Sequence, residues 1–229
     1  MKTSKNKSSD KPAKAPASGD EVLLQREGKL IVRDGDTVLK IFGPEYKVSD
    51  ILNEAMNEAR AAETGLPVPK VLEVLKLREH WCIRREFVAG KTLADAMASD
   101  KRRLDKLLAQ FVAIQAEIFK KTSARMGNLS DKLDRQISAS PLPRETRYDL
   151  HVRLGDPLAD VARSYLLFWL SGRVAAAEKY LALACEALGA KVPDVQKWLP
   201  VVAAAESAQA KDQKTLDLLS HWASVVDYV

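Results

Sequence analysis

Lys40 lies near the end of a β-rich run, Thr37-Val-Leu-Lys-Ile-Phe42, and Glu54 falls on the amphipathic stretch that follows. An ammonium is a compact point charge, and a carboxylate on a neighbouring element can hold it where it would meet phosphate oxygens. Glu58 lies one turn beyond Glu54 on the same face and could take its place. The rest of the chain is poor in groups that act on a substrate or grip a metal. Its histidines are His80, His151 and His221, and its asparagines Asn6, Asn53, Asn57 and Asn128, with none after Asn128. Cys82 and Cys185 are too few and too far apart for a disulfide framework or a metal knuckle, and are expected as buried, reduced thiols.

Those charges need a scaffold. From Glu21 to Phe42, three short β-rich runs are separated by Glu27-Gly28-Lys29 and Asp34-Gly35-Asp36, whose glycines supply the positive φ of tight hairpins. Ser49 to Glu63 places Ile51, Leu52, Ala55, Met56, Ala59 and Ala62 on one helical face, and Thr64-Gly65 with Pro67 beyond ends it. Val71 to Leu77 and Trp81 to Val88 read as two more strands of the same sheet. After Lys91 the pattern is helical: Thr92 to Ala98, Lys101 to Lys121, Leu129 to Ala139, Arg144 to Leu154, Leu158 to Ser171, Val174 to Leu188, Val195 to Glu206 and Thr215 to Asp227. The prediction is an α+β chain, with a five-stranded antiparallel sheet and one helix over 21–90, an all-helical part over 91–229, and a hinge near Glu86 to Gly90.

Composition narrows the function classes. The chain has 229 residues, 46% hydrophobic and 29% charged, enough to bury a core but without an apolar run that spans a bilayer or forms a signal segment. No membrane partner and a cytoplasmic location are expected. The formal net charge is +5, but Lys2, Lys5, Lys7, Lys11 and Lys14 against Asp10 and Asp20 put +3 of it in residues 1–20. That Ser-, Lys-, Pro- and Ala-rich segment is expected as a disordered basic tail, so the charge does not argue for a specific nucleic-acid partner.

Four segments carry a resemblance. Thr37-Val-Leu-Lys-Ile-Phe42, Asn53-Glu54-Ala55, Glu63-Thr-Gly-Leu-Pro-Val-Pro-Lys-Val-Leu72 and Arg85-Glu-Phe-Val-Ala-Gly-Lys-Thr-Leu93 resemble the aminoglycoside phosphotransferase and choline kinase family of small-molecule kinases. Gly155-Asp-Pro-Leu-Ala-Asp-Val-Ala-Arg-Ser-Tyr-Leu-Leu167 is similar to the helix after that family's magnesium-binding loop. The resemblance implies a protein-kinase-like two-lobe fold with a truncated all-helical second lobe. It implies that Lys40 meets the α and β phosphates of ATP and that Glu54 or Glu58 holds it. The main chain of Glu86-Phe87-Val88 would pair with the adenine edge, making Lys40, Glu54, Glu86 and Val88 the candidate nucleotide-binding residues. Arg26-Glu27-Gly28-Lys29 stands where a phosphate-covering loop would lie, with a single glycine.

The other half of the resembling active site is missing. The family's His-Gly-Asp, the asparagine that follows it and the Ile-Asp-Trp-like metal strand have no counterpart, as if an internal deletion near Leu154 to Pro157 had removed both loops. Tyr148-Asp-Leu-His151 does not replace them, because Asp149 and His151 would point to different sides of a helix. Asp156 reads as an N-cap before Pro157, with Asp160 in the first turn. Phe119 stands where the family often has a histidine, and Trp169, Trp198 and Trp222 read as core. No catalytic and no metal-ligating residue is assigned; ATP would bind weakly, magnesium would lack its ligands, and the acceptor is not legible. The reading is a family member that is inactive or at most nucleotide-binding. The alternatives are an interaction protein using its helical part, a non-functional truncated gene product, or an active phosphotransferase with relocated ligands. Apolar surface around Leu150, Leu154, Leu158 and Val161 is expected to be left partly uncovered by the deletion and to favour self-association.

Overall fold

The computed structural model describes residues 21–26, 28–121, 129–143, 146 and 156–224, with the backbone alone at 129–131. The basic segment 1–20, Glu27, Asp149, His151, Leu150, Leu154 and nearly all of the predicted helix from Arg144 lie outside the described residues. Contacts divide the chain into two compact units between Ala89 and Gly90.

The first unit is a five-stranded antiparallel sheet with one helix. Strands β1 (Glu21–Arg26), β2 (Lys29–Asp34) and β3 (Thr37–Phe42) form a meander, helix α1 (Val48–Glu63) follows, and β4 (Val71–Leu77) and β5 (His80–Glu86) return. The spatial order is β1-β2-β3-β5-β4, so β5 pairs with β3 and the strand entered from α1 lies at the edge. Gly28 and Gly35 adopt φ of 68° and 60°, which lets each hairpin reverse without a Cβ clash. Alternation along the strands gives the sheet two apolar faces. Phe42 and Ile83 pack with Ile51 and Ala55 of α1, whereas Val32, Leu39 and Cys82 form a cluster of their own. Ile51 is 1% exposed and by its type contributes roughly 1.5–3 kcal/mol to the docking of α1.

The helix differs from its sequence reading in which flank it buries. Ile51 and Ala55 face the sheet, but Leu52 and Met56 are exposed. The buried arc is completed on its other side by Glu54 and Glu58, whose charges meet cations on the strands.

The second unit is helical throughout its described residues. Its helices are α2 (Leu93–Ser99), α3 (Leu104–Phe119, after a 3-10 turn at Lys101–Arg103), α4 (Leu129–Ser138), α5 (Pro157–Leu170), α6 (Val174–Leu188), α7 (Val192–Gln196), α8 (Leu199–Ser207) and α9 (Gln213–Ser224). Thr92 caps α2 by accepting from Asp95 N at 3.1 Å, and Gly189 closes α6 in the left-handed conformation. The predicted helix from Val195 to Glu206 is two helices. Pro200 supplies no amide donor and sits in the first turn of α8, where none is needed. Trp198 therefore lies between helices, 9% exposed, while Trp169 and Trp222 meet edge to face at 5.6 Å within the same core.

At the start of α5 one expectation changes and one is met. Val161 is fully buried, while Leu158 packs against the helical core and stays half-buried, so of the described residues expected to be partly uncovered only Leu158 keeps exposed surface. Asp156 caps α5, its Oδ1 accepting from Leu158 N at 2.8 Å while Oδ2 accepts from Trp198 Nε1 at 3.2 Å.

Candidate functional site

Lys40 projects from β3 on the face that carries Phe42, opposite Ile83 of β5. Its Nζ forms an ion pair with Glu54 Oε1 of α1 and lies 5.1 Å from the centre of the Phe42 ring. The Lys40 side chain is 15% exposed and that of Glu54 29%, so the pair is sheltered but not sealed from solvent. The geometry also settles which carboxylate meets which cation. Glu58 is occupied by Arg85 of β5, whose Nη1 donates to Glu58 Oε1 at 3.0 Å. The register explains this: Arg85 stands opposite Val38, two residues before Lys40, so the two cations follow the slope of α1 one turn apart.

The second oxygen of Glu58 is buried and without a hydrogen-bond partner among the described residues. Loosening the Arg85 contact is opposed, because the carboxylate would then lose the one cation that pairs with it among the described residues. On the opposite face, Arg84 donates to Asp34 Oδ2 at 2.6 Å, Thr37 Oγ1 at 3.0 Å and Glu73 Oε2 at 3.2 Å. Asp34 first, and Glu73 after it, raise the Arg84 pKa above its ordinary value. This network ties the β2–β3 turn to the edge strand and faces away from Lys40.

The turn after β1 is closed by an acidic side chain that the sequence did not suggest. Gly28 O accepts from Gly43 N at 2.7 Å, and a Cβ at either glycine would overlap the Glu45 carboxylate. The Lys29 ammonium lies 4.6 Å from the centre of the Tyr46 ring and 5.4 Å from that of Phe42. The backbone approach that Gly28 permits is thus used by a carboxylate, which repels phosphate.

In the connection after β5 the main-chain amides are committed to different degrees. Glu86 N donates to Lys70 O at 3.1 Å, and the Glu86 carboxylate accepts from Lys70 N at 3.2 Å. Phe87 N donates to Asp36 O at 3.0 Å. Val88 is 65% exposed, and among the described residues nothing bonds its amide. The amides of Glu86 and Phe87 are therefore committed within the sheet unit, whereas that of Val88 has no bond among the described residues.

No protein-family model matches this chain. No curated protein matches it either. A solved structure to which it is similar is a choline/ethanolamine kinase family protein from Mesorhizobium loti, at a TM-score of 0.48 and 15% identity, over 93% of this chain and 88% of that one.

Two site features escaped the sequence reading. The Arg85–Glu58 pair joins residues 27 positions apart, and only the register of β3 on β5 brings them together. The Glu45 carboxylate sits on an exposed loop, where a single acidic residue gives no pattern to notice. For a metal, the described residues hold no group of three His, Cys, Asp or Glu side chains close enough to bind one. Asp156 spends one oxygen on a helix cap and the other on an indole.

Proposed function

We propose that the sheet unit is the nucleotide-holding half of a small-molecule-kinase-like protein, and that this chain binds ATP weakly without transferring its phosphoryl group. The observation that carries the reading is the ion pair of Lys40 with Glu54, joining β3 to the helix inserted before β4. Held in that way, the ammonium keeps one position and adds positive charge for the α and β phosphates. Glu54 positions it; the Val88 amide is the donor offered to the adenine edge. Glu86 contributes by fixing the main chain through Lys70 rather than by a free amide.

Weak binding and no transfer follow from what surrounds the pair. Magnesium, when bound in such a site, neutralises phosphate charge, and the motif resemblance supplies no aspartate or asparagine here to hold it. Glu45 adds negative charge at the turn where phosphates would be covered. The sequence has no asparagine after Asn128 and no histidine followed by Gly-Asp. The aminoglycoside phosphotransferase subtype, the internal deletion near 154–157 and a cytoplasmic location are parts of the same proposal, supported by the motif resemblance and by composition.

The test combines equilibrium binding of ATP with a turnover assay using pooled alcohol and amine acceptors. Saturable binding without acceptor-dependent loss of ATP is expected. Turnover that disappears in Lys40→Met would overturn the inactivity, and absence of any binding would overturn the nucleotide site.

A further inference from the structure

We propose that the helical unit binds an amphipathic carboxylate in a cleft between α2, α3 and the C-terminal half of α5. The cleft has a volume of about 360 Å³, within the range of small-ligand pockets. Leu93, Met97, Phe111, Leu167 and Phe168 form apolar walls, with Met97 buried in the core and Leu167 39% exposed at the opening. Phe111 and Phe168 meet edge to face at 6.2 Å and each packs on Tyr180 at 5.5 Å, so the inner wall is held by an aromatic cluster.

The polar lining selects the ligand. Ser171 Oγ donates to Phe168 O at 2.7 Å. Ser164 lies close to the hydroxyl of Tyr180, which donates to Gln115 Oε1 at 2.5 Å. The Ser171 hydroxyl is therefore committed within the protein, and Ser164 faces a hydroxyl already in use. A sugar or a nucleotide in this cleft would lose water from its hydroxyls and find few partners, which disfavours both. Arg173 is the remaining polar residue of the lining, and among the described residues no carboxylate pairs with its guanidinium. A guanidinium presents a planar fork of donors that matches a carboxylate. The first turn of α6, which follows Arg173, carries no acidic residue to offset that charge. An apolar body in the cleft with a carboxylate on Arg173 satisfies the walls and the cation together. The proposal depends on α2, α3, α5 and Arg173 and stands apart from the nucleotide site.

Titration calorimetry of the full chain with octanoate and, separately, with 1-octanol tests it. Octanoate should saturate a single site. Arg173→Gln should weaken octanoate about tenfold or more while changing 1-octanol less than about twofold. Arg173→Lys should recover part of the octanoate affinity, and Ala94→Trp, which fills the cleft, should abolish both ligands. No saturable octanoate binding, binding that survives Ala94→Trp in a folded protein, or an Arg173→Gln variant that treats both ligands alike would each overturn the proposal. Because Arg173 precedes a helix at the surface, its variants keep the question answerable should Ala94→Trp fail to fold.

Discussion

Arg85 Nη1 donates to Glu58 Oε1 at 3.0 Å, one turn of α1 away from the ion pair between Lys40 and Glu54. Two adjacent strands thus grip two carboxylates on one helix, and the helix can neither roll nor slide without breaking both contacts. In the proposed nucleotide site the Lys40 pair would yield its ammonium to phosphate while the Arg85 pair keeps α1 docked.

Arg85→Ala should therefore destabilise the protein by about 1–3 kcal/mol, since Glu58 is left with a buried oxygen and no cation. Both partners are about one quarter exposed, which keeps the cost toward the lower end of that range. Urea denaturation of the double variant Arg85→Ala/Glu58→Leu should recover part of the loss, giving a coupling of about 1 kcal/mol. Additive losses would show that the pair does not hold the helix.

Removing the charge beside Gly28 should favour phosphate. Glu45→Gln is expected to tighten ATP binding by about fivefold, the effect of roughly 1 kcal/mol of like-charge repulsion in water. The gain should shrink as salt is raised. Calorimetry at two ionic strengths checks both statements.

Asp156 should behave as a structural residue. Asp156→Ala loses the cap on Leu158 N and the acceptor for Trp198 Nε1, at a cost of about 1–2 kcal/mol by chemical denaturation. Asp156→Asn keeps an oxygen for the cap and should cost less. Added magnesium should stabilise the wild type no more than either variant; a magnesium effect confined to the wild type would assign Asp156 to a metal.

The Tyr180 hydroxyl is pushed up to about 12 from 10 by burial, with its hydrogen bonds to Ser164 and Gln115 opposing the rise. The unfolded chain releases this proton first, so stability that is intact below pH 10 should fall as the pH climbs toward 12. Urea midpoints measured from pH 9 to 11 should drop less steeply in Tyr180→Phe than in the wild type.

The sheet was legible because alternating apolar residues and two hairpin glycines specify it locally. The buried flank of α1 was not. Ile51, Leu52, Ala55 and Met56 form one apolar arc in the sequence, and only the cations at Lys40 and Arg85 decide that Glu54 and Glu58 turn inward while Leu52 and Met56 turn out. The break between α7 and α8 was signalled by Pro200, whose missing amide outweighs the apolar periodicity running through it. Asp156 as a helix cap followed from its place before Pro157, whereas its second contact, to Trp198, needed the packing of α7 against α5.

The central claim is that Lys40, held by Glu54, is a phosphate-directed cation in a chain without transfer chemistry. Thermal unfolding followed against millimolar ATP, with and without magnesium, in the wild type and in Lys40→Met, tests it most directly. The account predicts a rise in Tm with ATP that needs no magnesium and vanishes in Lys40→Met. An unchanged Tm at saturating millimolar ATP, or a rise that persists in Lys40→Met, would contradict it.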